Sequence, residues 1–445
     1  MRTATLRVLS LAFALGAAAS AAGGALADTV TLCGVEGPVT RALADLSRLF
    51  ETETEHIVQF ELASPTDFEA AMLERLSERG RGCDLILGRA EWLGEAVRRN
   101  AYVELGELIA DGIVDPDEFL PAVTFAHSVW PKDGQRYFAL PASGDALGWA
   151  YRKDWFQRTE LRDAFRAQFR RDLAPPERWS DIRDIAAFFT GREIDGARVS
   201  GVALAAAPDP GDPAGGGVAP GALSALYAWG FAHDNPAGSY IVDGVVNTPN
   251  AATALAAFRD LLDCCAVPNA RYARAAGASR AFRNGQAALE LNWFSSFAEL
   301  VRSPDEAKKF GFFANPGQLR HGSVLGGYGL AVTQAAASPD AALAYLAWFA
   351  LPEVQRVWAE LGGMSAHQAA FEDPAYDRST PYAAAFLQAI ATGRASWQDP
   401  AFAELRAALE RRLRAYVVDG TGTAQEALDL VAADWTRILE NLGRL

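Results

Sequence analysis

The sequence predicts an α/β protein of two lobes about a cleft, with a helical C-terminal part. Three observations carry this. Residues 29–87 alternate strand, helix, strand, helix, strand. Residues 138–333 hold a second, less regular α/β stretch. From Pro339 to Leu445 helical periodicity is almost unbroken. Alternation of the first kind builds parallel sheets covered by helices. The 445 residues, half of them hydrophobic, suit two or three units of about 100–200 residues each.

The elements follow in order. Residues 1–27 start with Arg2 and Arg7, continue through an apolar stretch at 8–19 and end in Ala25-Leu26-Ala27. A basic start, a short apolar core and an A-x-A site make a secretory signal peptide. The apolar core is too short for a membrane span, which needs about 20 residues. The mature chain is expected to begin at Asp28. No Cys follows the small-residue stretch, so a soluble protein in an exported compartment, without a lipid anchor, is expected.

Residues 29–33 read as a strand and Gly34 to Pro38 as a turn. Leu43, Leu46, Leu49 and Phe50 then mark a helix, and residues 56–62 a second strand. A helix through Phe68, Met72 and Leu76 leads to Asp84-Leu85-Ile86-Leu87, a continuous apolar run of the kind found in sheets buried on both faces. Residues 138–151 read as extended chain. Helices follow at 161–169 and 182–189, then a strand at 199–206 and a Pro/Gly loop at 208–221. Helices are predicted at 223–231 and 251–264, and strands at 287–292, 310–313 and 329–333.

The formal net charge of −14 argues against a nucleic-acid partner or a polybasic membrane contact. The chain has no G-x-x-x-x-G-K-[ST], no G-x-G-x-x-G between strand and helix, and no H-E-x-x-H. Around Ser365 the sequence Gly363-Met364-Ser365-Ala366-His367 lacks the second Gly of a nucleophile elbow. Cys264 and Cys265 are adjacent and the five His are scattered, which does not match zinc-ligand spacing. No metal, cofactor or enzymatic activity is expected. Cys33, Cys83, Cys264 and Cys265 allow three pairings, among which the sequence does not choose. Free buried thiols are the starting expectation.

Candidate site residues come from strand ends, because ligands of open α/β sheets bind outside the carboxyl ends of the strands. Glu36 follows the first strand, Ser64 the second, and Arg89, Glu91 and Trp92 the third. Asn292 and Trp293 follow a later strand, and Ser143, Asp145 and Tyr328 lie on extended chain. Trp229 is added as an aromatic near a helix end, with Asp234 and Phe402 behind it. Glu36, Glu91 and Asp145 offer carboxylate acceptors for hydroxyl groups. Trp92, Trp293 and Tyr328 offer planes on which the C–H face of a sugar ring can stack. Core packing is the alternative reading for each aromatic.

The order of several motifs resembles a known family. They are Cys83-Asp84-Leu85-Ile86; Tyr137-Phe138-Ala139-Leu140-Pro141 with Gly148-Trp149-Ala150-Tyr151-Arg152-Lys153-Asp154-Trp155-Phe156; Pro175-Pro176-Glu177-Arg178-Trp179-Ser180-Asp181; Phe282-Arg283-Asn284-Gly285-Gln286-Ala287-Ala288-Leu289 followed by Trp293; Gly326-Gly327-Tyr328-Gly329-Leu330-Ala331-Val332; and Ala347-Trp348-Phe349 through Gln355. In this order they resemble the extracellular solute-binding proteins of ABC importers, in particular the carbohydrate-type, maltose-binding-protein-like family. Arg152 stands where that family has Asn, and no Pro precedes Ala366. The resemblance implies a two-lobed periplasmic-binding-protein fold with a hinge of crossing segments. Lobe one would be 28–141 plus 326–365, and lobe two 145–321 plus 368–445. Crossings would fall at 141–145, 321–326 and 365–368, with a sugar-binding acid at the first, near Ser143 and Asp145. It implies capture of a small polar solute, a sugar or polyol, and delivery by a monomeric protein to the ABC permease. Two rivals remain: a ligand sensor for a membrane receptor, and a secreted glycoside-acting hydrolase using Glu36 or Asp145 with Glu91.

Overall fold

A computed structural model describes residues 28–132, 134–208, 217–231, 245–394 and 399–445. The expected signal peptide, most of the Pro/Gly loop and Asp234 lie outside the described residues.

Eleven strands are present among the described residues: β1 (Thr29–Val35), β2 (Ile57–Ala63), β3 (Leu85–Gly88), β4 (Leu140–Arg152), β5 (Glu193–Ile194), β6 (Ala197–Arg198), β7 (Ser200–Ala203), β8 (Ala287–Trp293), β9 (Phe310–Ala314), β10 (Ser323–Val332) and β11 (Gly393–Arg394). β5 and β6 form a small hairpin. The others make one sheet in the order β2-β1-β3-β10-β4-β8-β7, with β9 pairing β4 and β11 pairing β10. β1, β2 and β3 are parallel, as their alternation with helices requires. All four residues of β3 are buried, which explains its unbroken apolar sequence.

The sheet has two halves that share β4. Leu140–Ala146 pairs antiparallel with β10, whereas Leu147–Tyr151 pairs with β8 and Gly148–Arg152 with β9. The strand therefore changes partners between Ala146 and Leu147. β10 lies beside β3 and β4, and its register shifts at Tyr328/Gly329. The sequence predicts this strand only from Gly329, but it begins at Ser323. Gly326 and Gly327 mask its start, and both are required there. Gly327 has φ +106°, and a Cβ on it would collide with the Ser143 carbonyl. Residues 364–367 run alongside β4, where the Gly144 N–H donates to the Met364 carbonyl (2.9 Å) and the Trp358 indole to Ala142 (2.7 Å).

Around the second half, the helix Ala219–Ala228 is buried along its whole length. Glu410 accepts the backbone N–H groups of Val218 and Ala219 at its start (3.0 and 2.9 Å), which satisfies donors a buried helix end would leave open. Asn315 is 2% exposed. Its Oδ1 accepts the indole N–H of Trp149 (3.2 Å) and Trp179 (3.1 Å), and its Nδ2 donates to the Ser224 and Gly322 carbonyls. All of its amide capacity is used. The tail is helical as predicted. Thr423 and Glu426 form a capping box that starts the helix Ala424–Asn441, which packs on Phe402–Val417.

The cysteines depart from the free-thiol expectation: Cys33 bonds to Cys83, and Cys264 to Cys265. The first pair follows from topology. Cys33 lies on β1 opposite Ile86 of β3, and Cys83 lies just before β3.

Candidate functional site

Parallel register gathers the first three strand ends. Val35 lies opposite Ala63, and the Glu36 N–H donates to the Ala63 carbonyl (2.9 Å), so Glu36 and Ser64 emerge side by side. Gly88, at the end of β3, pairs with Gly329, which brings Arg89 next to Tyr328. Glu36 is exposed and Glu91 half-buried. The Ser64 hydroxyl donates to Asp67 Oδ2 (2.7 Å) and accepts the Asp67 N–H, so it shapes the turn before the helix Phe68–Ser77.

Phe68 organises this wall. Its ring lies 5.2 Å from Trp92 and 6.2 Å from Tyr328. The Arg89 guanidinium lies 5.5 Å from the Phe68 ring and 5.6 Å from Trp92. Trp92, expected as an open plane, is only 3% exposed and packs in the core. Tyr328 is partly exposed.

The middle of the site is the partner change of β4. Ser143 is buried opposite Tyr328, and Asp145 pairs with Gly326. Asp145 Oδ1 accepts the Ala146 N–H (2.8 Å) and the Ser295 N–H (3.2 Å), and Oδ2 accepts the Ser295 hydroxyl (2.5 Å). Burial pushes its carboxyl up to about 6 despite these donors. The Gly326 carbonyl faces His127 Nε2 (3.2 Å). A carbonyl only accepts, so Nε2 carries the hydrogen. Burial lowers this imidazole to about 4 and keeps it neutral.

On the far side, β8 ends in Asn292 and Trp293. Trp293 pairs with Leu147, and its ring lies flush on Gly326. Leu147, Leu204, Pro220, Phe258 and Leu291 surround a small recess beside these two residues. Asn292 is buried: its Oδ1 accepts the Trp293 N–H (2.8 Å), and its Nδ2 donates to Ser279 Oγ (2.8 Å) and Glu290 Oε1 (2.9 Å). Trp229 is partly buried and packs edge-on against Trp179 (6.1 Å), at the margin of the aromatic core of this half. Phe402 is buried at a helix start.

The structure thus brings Arg89, Trp92 and Tyr328 together on one side. Asp145, Asn292 and Trp293 come together at and beyond the partner change of β4. Sequence reading missed Phe68, Ser279, Glu290 and Ser295. Only Glu290 left a signal, as a single acid inside the apolar strand Ala-Ala-Leu-Glu-Leu. The Ser365 hydroxyl donates to Gln355 (2.6 Å) and accepts the His367 N–H, so it is held within the fold. Among the described residues no group of His, Cys, Asp and Glu forms a metal site, and no helix is long and apolar enough to cross a membrane.

Two α/β halves joined through shared strands define the two-lobed fold of the maltose-binding-protein type. The chain belongs to the bacterial extracellular solute-binding protein family, whose model matches residues 42–356. The motif resemblance is borne out. A curated relative, the probable amino-acid ABC transporter periplasmic-binding protein y4oP of Sinorhizobium fredii, is 30% identical over 109 residues. That match spans 24% of each of the two chains. Among solved structures, a solute-binding protein of Agrobacterium radiobacter in complex with ribitol has TM-score 0.72 at 19% identity, covering 92% of this chain and 98% of its own. Maltose-bound MalE3 of T. maritima has TM-score 0.74 at 19% identity, covering 93% of this chain and 100% of its own. A protein of Agrobacterium vitis with bound D-mannitol has TM-score 0.72 at 18% identity, covering 94% and 99%.

Proposed function

We propose that the protein is the soluble, periplasmic substrate-binding component of an ABC importer. It captures a small polar solute, a sugar or polyol, between its lobes and hands it unaltered to the membrane permease. It acts as a monomer without a cofactor. Lobe one comprises 28–141 plus 326–365, and lobe two 145–321 plus 368–445. Family membership supports the role. The observation that carries the site is Trp293: a partly exposed residue at the carboxyl end of β8, its ring seated on Gly326 where β4 passes from one half of the sheet to the other. Closure buries the solute against this plane, and the crossing strands absorb the dihedral change.

A thermal-shift screen of the refolded, ligand-stripped protein tests the reading. The panel holds ribitol, D-mannitol, maltose and amino acids. A solute that binds only the native state raises stability by about 2.7 kcal/mol at a hundredfold excess over Kd. A shift with a sugar or polyol, recovered unchanged, supports the proposal. A shift with amino acids alone replaces the ligand class and agrees with the name of the curated relative. Conversion of the solute overturns the binding role.

A further inference from the structure

Trp293 ends β8, and the chain turns there into the short helix Phe294–Phe297. Its backbone is gripped on both sides of that turn. Before it, the Asn292 side-chain oxygen accepts the N–H of Trp293 itself. After it, Asp145 accepts both the N–H and the hydroxyl of Ser295.

The Asn292 grip depends on which way its amide faces. An amide has one accepting and one donating end. Glu290 Oε1 accepts from Asn292 Nδ2 and from the Ser279 hydroxyl, and Ser279 Oγ accepts from Asn292 Nδ2 as well. Two acceptors on that side hold the NH2 end inward, which leaves Oδ1 directed at Trp293. Glu290 is 0% exposed, and its Oε2 finds no hydrogen-bond partner among the described residues. A fully buried acid with one oxygen unpartnered is costly to keep. Among the described residues, its only side-chain hydrogen bonds are those that orient Asn292 and Ser279. Asp145 is used in a similar way: both oxygens engage protein donors, and the neighbouring Gly326 receives the Trp293 ring.

We propose that Glu290 and Asp145 are positioning residues that hold Trp293 as a preformed ligand platform, Glu290 through Asn292 and Asp145 through Ser295. The platform role rests on the solute-binding reading of the cleft; the bracing of Trp293 is separable from it. A preformed plane lowers the ordering cost of binding.

The test labels the full chain with 5-fluorotryptophan and records 19F NMR spectra, with the resonance lost in Trp293→Phe assigned to Trp293. Glu290→Ala and Asp145→Ala are expected to shift or broaden that resonance and to leave those assigned in the same way to Trp149 and Trp358 in place. Glu290→Gln keeps an Oε1 acceptor and restores the wild-type position. Ser295→Ala, a milder variant, reports on the Asp145 arm where Asp145→Ala does not fold. An unmoved Trp293 resonance in Glu290→Ala and Ser295→Ala overturns the proposal, as does a Glu290→Gln spectrum displaced as far as that of Glu290→Ala. Titration with ribitol, D-mannitol or maltose is expected to show affinity reduced about tenfold in Glu290→Ala and recovered in Glu290→Gln. If the wild type binds none of these while the resonance behaves as expected, the sugar or polyol reading fails and the bracing stands.

Discussion

Trp293 and Gly326 are in contact so close that no side chain fits between them: a Cβ built on Gly326 would lie 2.7 Å from Cζ3 of the indole. Gly326 belongs to β10 and Trp293 to β8, and both flank β4 at its partner change. Gly326→Ala therefore displaces the ring. Overpacking of this kind costs about 1–3 kcal/mol. The expected outcome is a modest fall in melting temperature with a larger loss of solute affinity, checked by calorimetry on the same preparation.

Glu290 makes stability depend on pH. Burial raises its carboxyl from an ordinary 4.5 to about 7. The folded protein then holds a proton that the unfolded chain releases from about pH 4.5 upward. The contribution is complete below pH 4.5 and is lost as pH rises through 7. A shift of this size corresponds to about 3 kcal/mol. Denaturant titrations between pH 4.5 and 7.5 are expected to show falling stability in the wild type and a flatter profile in Glu290→Gln. Asp145, raised to about 6, adds a smaller loss of the same sign that Asp145→Asn removes.

Asn315→Ala is expected to be among the most destabilising single changes. It leaves two buried indole donors and the carbonyls of Ser224 and Gly322 without their partner. A buried group left unsatisfied costs about 1–3 kcal/mol. A loss of about 3–5 kcal/mol is expected, read as a shift in the urea midpoint. A loss below 1 kcal/mol would contradict the accounting of these hydrogen bonds.

The two disulfides differ in what they stabilise. Cys33–Cys83 closes a segment of 50 residues, and chain entropy assigns such a loop about 4 kcal/mol. Cys264–Cys265 joins neighbours and closes almost no chain. The Cys33→Ser, Cys83→Ser double variant should lose several kcal/mol, and the Cys264→Ser, Cys265→Ser variant little, as measured by calorimetry without reductant.

Much of the architecture was legible because it is written locally. The run from Leu85 to Leu87 is apolar at every residue, and β3 is buried throughout. Leu43, Leu46 and Phe50 fall on one helical face, and all three are buried. Where glycines replace apolar residues the signal failed, so the first half of β10 was missed. The site was legible as positions rather than as partners. Asp145 is marked by its place at a crossing, yet its partner Ser295 lies 150 residues away and nothing in the local sequence announces it. Trp92 is marked by its place after a strand, but Phe68, which packs against it, comes from a helix whose periodicity marks it only as core.

The place of β10 in the sheet also bears on how the chain reaches its native state. β3 is made early in synthesis and ends at Gly88, yet its neighbour β10 begins only at Ser323. β4 waits for the same strand along its first half. Until β10 docks, one edge of β3 and the first half of β4 are both left unpaired, and open strand edges are surfaces on which misassembly can begin.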